Sequence, residues 1–196
     1  MNLTYIENLY NSIIDFTDVD VPLPINIKIN ELLSKQYHSS IPNDPAIVYR
    51  NILDFDNRTE VNEWATNFVF DNVIPKFYEH WIFENSYPHS PTGLKNNITV
   101  GVTLMKDSVG FKQAIHIDPQ WNVLAGVIHL QDAINNGTVF YWHDFRTGEC
   151  FEKHKSPSKK FSGSIWANMP NSLHGVESVT QERLFYLISV NWNLKF

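Results

Sequence analysis

The sequence places a histidine and an aspartate two positions apart, in the segment Gln113-Ala-Ile-His116-Ile-Asp118. On an extended strand, side chains two positions apart leave the same face, so His116 and Asp118 would point into one space. An imidazole and a carboxylate in one space are two of the three ligands of a facial metal triad. The alternative is a surface strand end with an Asp turn before Pro119, because His-x-Asp tripeptides often arise by chance.

A third ligand would have to come from a distant part of the chain, and His174, followed by Gly-Val, is the candidate. Two histidines and one carboxylate leave three adjacent coordination positions open, a set typical of non-haem Fe(II) sites. Arg183 lies nine positions after His174, at the start of an apolar strand, where a guanidinium is costly to bury without an anion. The alternatives are a loop histidine and an exposed arginine at a hairpin end beside Glu182.

Strands must position these residues, because the second half of the chain shows short runs of alternating or continuous apolar residues separated by turn residues. Many short strands within about a hundred residues are typical of an antiparallel sandwich or a jelly-roll barrel. The predicted strands are 98–104, 112–117, 123–130, 137–141, 149–151, 162–168, 173–176 and 184–192.

The first half predicts a helical or mixed support for that barrel. Apolar residues at helical spacing after a capping-box pattern at Thr4 predict a helix to about Phe16. A second helix is expected to begin at Asn57 or Thr59, with a kink or a new helix at Pro75 that reaches residue 82. Further predictions are a strand at 25–29, one helical turn at 31–36 and a loop at 42–45.

Composition favours one globular domain spanning 1–196, with 1–96 as the support and 97–196 as the β core. The chain has 196 residues, of which 43% are hydrophobic, enough for one sizeable core. A net charge of −6 argues against nucleic acid as a partner, because phosphate contacts need a basic surface. A single cysteine, no signal-peptide pattern and no long apolar run predict a cytoplasmic protein without a membrane span.

Taken together, these residues resemble the Fe(II)/2-oxoglutarate-dependent oxygenase family, in its prolyl-hydroxylase-like branch. The pattern is His-x-Asp, then a distant His-Gly-Val, then arginine, and the resemblance covers about residues 98–192. Segments 126–132, 136–140 and 174–184 also look like the corresponding segments of that branch. The resemblance implies a double-stranded β-helix (jelly-roll, cupin-like) core after N-terminal helices. It further implies Fe(II) held by His116, Asp118 and His174, with Arg183 on the distal carboxylate of 2-oxoglutarate.

His129 departs from the family pattern, which usually has a tyrosine at the matching strand position. An imidazole there could donate to the 2-oxoglutarate carboxylate, and the alternative is a core histidine bonded to backbone. Thr138 is a second candidate to assist in binding this cosubstrate.

The resemblance implies a dioxygenase that uses O2 and hydroxylates a peptide or small-molecule substrate, releasing succinate and CO2, with ascorbate as a possible reductant. Asp118 favours hydroxylation, because related halogenases replace this carboxylate with a small residue. Aromatic candidates for the substrate site, each of which could equally be a core residue, are Trp121, Tyr141, Trp142 and Trp166. The competing functions are a non-enzymatic jelly-roll module for binding or assembly, and a cupin-type metalloenzyme that does not use 2-oxoglutarate.

Overall fold

The computed structural model describes residues 1–8, 11–38, 47–80, 91–170 and 172–193. Within these ranges the chain is mainly β with antiparallel strands, which confirms the mainly β part of the prediction. The strands are β1 (Asn2–Asn8), β2 (Asn11–Thr17), β3 (Lys28–Ile29), β4 (Lys35–His38), β5 (Ile47–Asp54), β6 (Ile98–Asp107), β7 (Gln113–His116), β8 (Asn122–His129), β9 (Val139–Asp144), β10 (Glu149–Lys155), β11 (Gly163–Ala167), β12 (His174–Val176) and β13 (Arg183–Trp192).

The described strands form two sheets. The larger sheet has the order β1-β2-β11-β8-β13-β6-β5-β3, with β4 also paired to β5, and the smaller has the order β10-β9-β12-β7. Each predicted strand of the second half is present as one of β6 to β13, with ends that differ by a few residues. Strands β1, β2 and β5 come from the first half and belong to the larger sheet, where β2 pairs with β11 and β5 pairs with β6.

Side chains alternate between the two faces of the larger sheet, and each face packs against a different part of the protein. On β8, Leu124 and Ile128 belong to the main core, where helical side chains pack. Val127, on the opposite face of the same strand, clusters with Phe140 of the smaller sheet and with Phe185 of β13. The face that Val127 and Phe185 share therefore lies against the smaller sheet, where the predicted site residues are.

The helices cover the other face of the larger sheet. They are α1 (Arg58–Phe68), a π-helical turn (Val69–Val73), α2 (Ile74–Tyr78) and α3 (Pro91–Asn97). Pro75 lies in the first turn of α2, directly after the π-helical turn, so the predicted break at this proline is confirmed. Asn57 directly precedes α1, but its Oδ1 accepts a hydrogen bond from the Ile25 N–H instead of capping the helix. The predicted end at residue 82 lies outside the described residues.

The predicted helix that ends near Phe16 is wrong, because β1 and β2 form a hairpin there. Tyr5 lies opposite Ile14 in this hairpin, and β2 pairs in turn with β11. Ile13 and Ile14 are fully buried on opposite faces, one in each of two core clusters. Apolar residues at these positions satisfy a helical and an extended pattern equally, so pairing with a distant strand decides the conformation.

Three smaller predictions in the first half also need correction or remain outside the described ranges. The strand expected at 25–29 is confined to Lys28–Ile29. The helical turn expected at 31–36 is a turn in which the Ser34 N–H donates to the Asn30 carbonyl, followed by β4. The loop expected at 42–45 lies outside the described residues. Among the described helices, none is long and apolar enough to cross a membrane.

Candidate metal centre

The structure brings His116, Asp118 and His174 together at the interface of the two sheets. His116 Nε2 lies 3.8 Å from Asp118 Oδ1, and His174 Nε2 lies 3.5 Å from Asp118 Oδ2. Their candidate ligand atoms all lie within 4.8 Å of one another. Such atoms share a point roughly 3 Å or less from each, so small side-chain movements would give metal bonds of roughly 2.0–2.2 Å. The three residues could hold one metal ion.

Local backbone geometry sets this arrangement. His116 ends β7 and lies directly opposite His174, the first residue of β12, so the two rings approach to 4.4 Å between centroids. Gly175 permits the close approach of these strands, since a Cβ at this position would meet the Gln113 carbonyl oxygen at 3.0 Å. The His-Gly-Val sequence therefore has a packing reason as well as a chemical one.

Each imidazole is oriented by a backbone carbonyl. The Nδ1–H of His116 donates to the Ala114 carbonyl at 2.9 Å, and the Nδ1–H of His174 donates to the Ser172 carbonyl at 2.8 Å. A carbonyl can only accept, so it places the proton on Nδ1 and leaves the Nε2 lone pair for another partner. Metal-binding histidines are commonly fixed in this way.

The electrostatics of the centre favour the protonation states that a metal requires. Burial raises the pKa of Asp118, but contacts with His174 and a 3.1 Å hydrogen bond from Trp166 Nε1 outweigh burial and lower it. Burial and the neighbouring His174 lower the pKa of His116. An ionised carboxylate and a neutral imidazole are the forms that bind metal ions, so this donor set fits a divalent metal.

A cavity of about 80 Å³ lies beside the three candidate ligands. It extends from the triad to two guanidinium groups, those of Arg50 and Arg183, and it also touches Gln113. Its other lining residues are Met105, Val127, Thr138, Trp166, Val176, Phe185 and Leu187. The cavity therefore has mostly apolar walls, and its polar groups are the candidate metal ligands, the two cations, Gln113, Thr138 and the indole of Trp166.

Arg183 is 1% exposed and is held by an anion from its own chain. Its Nε donates to Asp107 Oδ2 at 2.7 Å, its Nη2 lies 2.6 Å from the same oxygen, and its Nη1 donates to the Asn136 carbonyl. Asp107 is fully buried and also accepts from Nε and Nη2 of Arg50, at 2.7 and 2.8 Å. Burial raises the pKa of Asp107, but the two guanidiniums outweigh burial and lower it. One buried and one partly buried cation thus share one carboxylate.

The two predicted cosubstrate-binding residues lie in different surroundings. Thr138 lines the cavity, and its backbone N–H donates to Ser156 Oγ. His129 is fully buried and is not among the lining residues, and its ring lies 6.2 Å from the ring of Phe185, which does line the cavity. Neither ring nitrogen of His129 has a hydrogen-bond partner among the described residues, so the backbone-bonded alternative does not apply there. Burial and the nearby Arg183 lower the pKa of His129 to about 3, which keeps the ring neutral.

Of the four aromatic residues considered for substrate contact, Trp166 lines the cavity and donates to Asp118. Trp121 is 56% exposed and lies outside the cavity lining. Trp142 stacks on Phe151, and Tyr141 is half-buried, where burial and Glu177 raise its pKa. Contact of these three with a substrate stays a prediction.

Sequence reasoning did not assign Arg50, Asp107 or Gln113 to the site. Asp107 ends β6 opposite Arg183 of β13 and Arg50 of β5, so the three form one row across neighbouring strands. A charged residue at an inward position of an apolar strand was the available signal for Asp107, since such residues need partners. Finding Arg50 requires the pairing of β5 with β6, which no local pattern shows.

Comparisons with known proteins give a limited result. No protein-family profile and no curated protein sequence matches the chain. Similar solved structures include an oxidoreductase of the 2OG-Fe(II) oxygenase family from Burkholderia pseudomallei, with 13% identity and a TM-score of 0.44, covering 81% of this chain and 72% of that chain. They also include a prolyl 4-hydroxylase from Phytophthora capsici, with 16% identity and a TM-score of 0.40, covering 74% of this chain and 48% of that chain. Similarity at these identities and TM-scores does not identify an activity for this chain.

Proposed function

We propose that the chain is an Fe(II)- and 2-oxoglutarate-dependent dioxygenase with a double-stranded β-helix core, which hydroxylates a peptide or small molecule. The observation that carries the proposal is the single cavity that joins His116, Asp118 and His174 to the buried guanidinium of Arg183. A metal triad and a cation facing one small apolar space suit a ligand that chelates at one end and carries a carboxylate at the other.

The net charge of Arg50, Asp107 and Arg183 together favours the binding of an additional anion. Arg50 and Arg183 carry two positive charges, and Asp107 supplies one negative charge. A net positive charge in an apolar interior is costly unless another anion offsets it. The contacts of Arg183 with Asp107 and Asn136 use one N–H of each terminal nitrogen, which leaves a second N–H on each, and the residue lines the cavity. A dicarboxylic oxoacid would supply the missing charge.

The proposal assigns roles to the residues of this chain. His116, Asp118 and His174 would hold the metal, Arg183 with Arg50 would bind the distal carboxylate, and Thr138 would line its path. Bound Fe(II) supplies the activation of O2 that oxidises 2-oxoglutarate to succinate and CO2 and hydroxylates the substrate. The apolar walls, among them Val127, Phe185 and Leu187, exclude water from this chemistry.

One contact favours a second candidate, a cupin-type metalloenzyme that does not use 2-oxoglutarate. The Asp107 carboxylate already occupies Nε and Nη2 of Arg183, so this arginine has a structural partner of its own. If the protein is such a metalloenzyme, it would bind metal, and 2-oxoglutarate would not change the visible spectrum of the metal-bound protein.

Anaerobic titration of the protein with Fe(II) and then 2-oxoglutarate tests the proposal. We expect the weak visible charge-transfer band of a metal-chelated 2-oxoacid in the wild-type protein. Arg183→Met should weaken 2-oxoglutarate binding by on the order of 3–5 kcal/mol, because it removes the fully buried one of the two cations that line the cavity. Arg146→Met is the matched control, since Arg146 is exposed in a turn and is not among the residues that line the cavity.

The outcomes separate the two candidates. One outcome is that the wild-type protein binds metal but shows no band at saturating 2-oxoglutarate, and that Arg183→Met has an unchanged affinity for 2-oxoglutarate. This outcome would rule out 2-oxoglutarate as cosubstrate and leave the cupin-type metalloenzyme as the function. Absence of metal binding would rule out both. Circular dichroism of Arg183→Met and Arg183→Lys shows whether each variant folds before its affinity is interpreted.

A further inference from the structure

Gln113 lies between a candidate metal ligand and the two arginines bound to Asp107, and it contacts both His116 and Arg50. Its Oε1 accepts a hydrogen bond from Arg50 Nη1 at 2.9 Å. Its Nε2 lies 3.1 Å from His116 Nε2, the ring nitrogen that faces the metal centre. Arg50 in turn is bound to Asp107 and through it to Arg183. A continuous hydrogen-bonded path therefore runs from a candidate metal ligand to the candidate anion site.

The direction of each hydrogen bond in this path is determined. A guanidinium only donates, so the group of Gln113 that meets Arg50 must be the amide oxygen. The amide NH2 then faces His116, whose Nδ1–H is committed to the Ala114 carbonyl. The Nε2 lone pair of His116 is consequently the acceptor for the Gln113 N–H.

That lone pair can serve only one partner. A metal ion bound to His116 Nε2 takes the electron pair that the Gln113 N–H uses, so the two contacts exclude each other. Once displaced, the N–H of Gln113 faces the cavity and needs a new acceptor, because an unsatisfied polar group at a half-buried position is unfavourable. An anion bound in the same cavity would supply one.

We propose that Gln113 is a positioning residue that links the two halves of the site: it competes with the metal for His116 and then donates to the metal-bound oxoacid. This inference rests on the proposed function for the identity of the oxoacid. Its Oε1 stays on Arg50, so the side chain pivots about that contact. Metal binding thereby prepares a hydrogen-bond donor for the cosubstrate, and the order of binding is metal first.

Two affinities measured on Gln113→Met test the inference, because they should move in opposite directions. Met has a similar length and no N–H. Binding of Mn(II), which is stable in air, should be tighter by roughly 2- to 10-fold, the equivalent of one hydrogen bond lost as a competitor. Binding of 2-oxoglutarate to the Mn(II)-saturated variant should be weaker by roughly the same factor, because one donor is missing. Calorimetric titration measures both.

Two further variants sharpen the result. Gln131→Met removes an amide that donates to the Glu182 carbonyl, at a position outside the cavity lining, and should change neither affinity. Gln113→Glu keeps an acceptor for Arg50 but has no N–H at neutral pH. It should therefore also bind Mn(II) more tightly and 2-oxoglutarate more weakly.

The inference is overturned if wild-type protein binds both ligands while Gln113→Met changes either affinity by less than twofold. A loss of both affinities in Gln113→Met would also overturn it, because that result indicates a purely structural role. Failure of wild-type protein to bind Mn(II) or 2-oxoglutarate would instead contradict the proposed function itself.

Discussion

Asp107 and Arg183 lie directly opposite each other on β6 and β13 and form an ion pair in which both side chains are almost completely buried. Removing one member of such a pair leaves an uncompensated charge in the interior, which is more costly than the loss of the contact alone. The second guanidinium on Asp107, that of Arg50, makes this carboxylate the centre of the row.

Replacing Asp107 should therefore destabilise the fold strongly. We expect Asp107→Ala to lower the free energy of unfolding by about 3–5 kcal/mol, because the buried guanidinium of Arg183 and the partly buried one of Arg50 lose their shared anion. Urea unfolding measures the change. The control is Asp54→Ala, since the Asp54–Arg58 pair is exposed and should contribute at most about 1 kcal/mol. Equal effects of the two substitutions would contradict a stabilising role of Asp107 between the two arginines.

His129 should make stability depend on pH below neutrality. Burial and the nearby Arg183 hold the pKa of His129 at about 3 in the folded protein, against 6.5 for a solvent-exposed histidine. The unfolded chain therefore binds a proton as pH falls below 6.5 while the folded protein does not, so this contribution to stability is full above pH 6.5 and decreases below it. Between pH 8 and pH 5 the loss should be about 2 kcal/mol.

The measurement is urea unfolding of wild type and His129→Leu at several pH values. Leucine cannot titrate, so the variant should lack about 2 kcal/mol of the wild-type decrease between pH 8 and pH 5. Parallel pH profiles would show that His129 titrates equally in the folded and unfolded states.

Trp166 should strengthen metal binding through Asp118. Its Nε1–H donates to Asp118 Oδ2 at 3.1 Å, which orients the carboxylate and stabilises its charge. Removing a partner of this kind commonly costs roughly 10- to 100-fold in metal affinity, so we expect that loss of Mn(II) affinity in Trp166→Phe. Trp142→Phe is a close control, because the indole N–H of Trp142 is buried without a partner among the described residues. Equal affinities for the two variants would contradict this role.

Loss of a candidate ligand should remove metal binding altogether. His174→Ala leaves one imidazole and one carboxylate, too few to compete for a divalent ion at micromolar concentration. Metal content after dialysis, measured by elemental analysis, should fall from one ion per chain to none. His143→Ala provides the comparison, since His143 packs against Phe145 and lies outside the candidate metal cluster. Retention of a stoichiometric ion by His174→Ala would disprove the assignment.

Local patterns in the sequence predicted the elements that carry the candidate ligands. Alternation predicted β6 to β13, and the two-residue spacing of His116 and Asp118 placed both side chains on one side of the chain. The β1–β2 hairpin could not be predicted in this way, because apolar residues such as Ile13 and Ile14 fit a helix as well as a strand. Its pairing with β11 supplies the deciding energy, and that contact is distant in sequence.

The anion partner of Arg183 shows the same division between local and distant information. Burial cost required some anion for this arginine, and a cosubstrate carboxylate was the expected one. The structure supplies Asp107 as one anion partner, through the register of β13 against β6, and the contact of Arg183 with a cosubstrate carboxylate stays a prediction. Arg50 and Gln113 join the site through β5 and β7, so their roles depend on sheet order and not on any motif.

The row of Arg50, Asp107 and Arg183 has a consequence for how the protein unfolds. Arg50 belongs to the first half of the chain and the other two residues to the second. The Asp107 carboxylate nevertheless offsets the charges of both arginines, so the two halves depend on each other. A fragment that begins at residue 97 would keep the candidate metal ligands but lose one of the cations and the strands that flank β6 and β11. We therefore expect the two halves to unfold in a single cooperative transition, with tryptophan fluorescence and circular dichroism reporting the same midpoint.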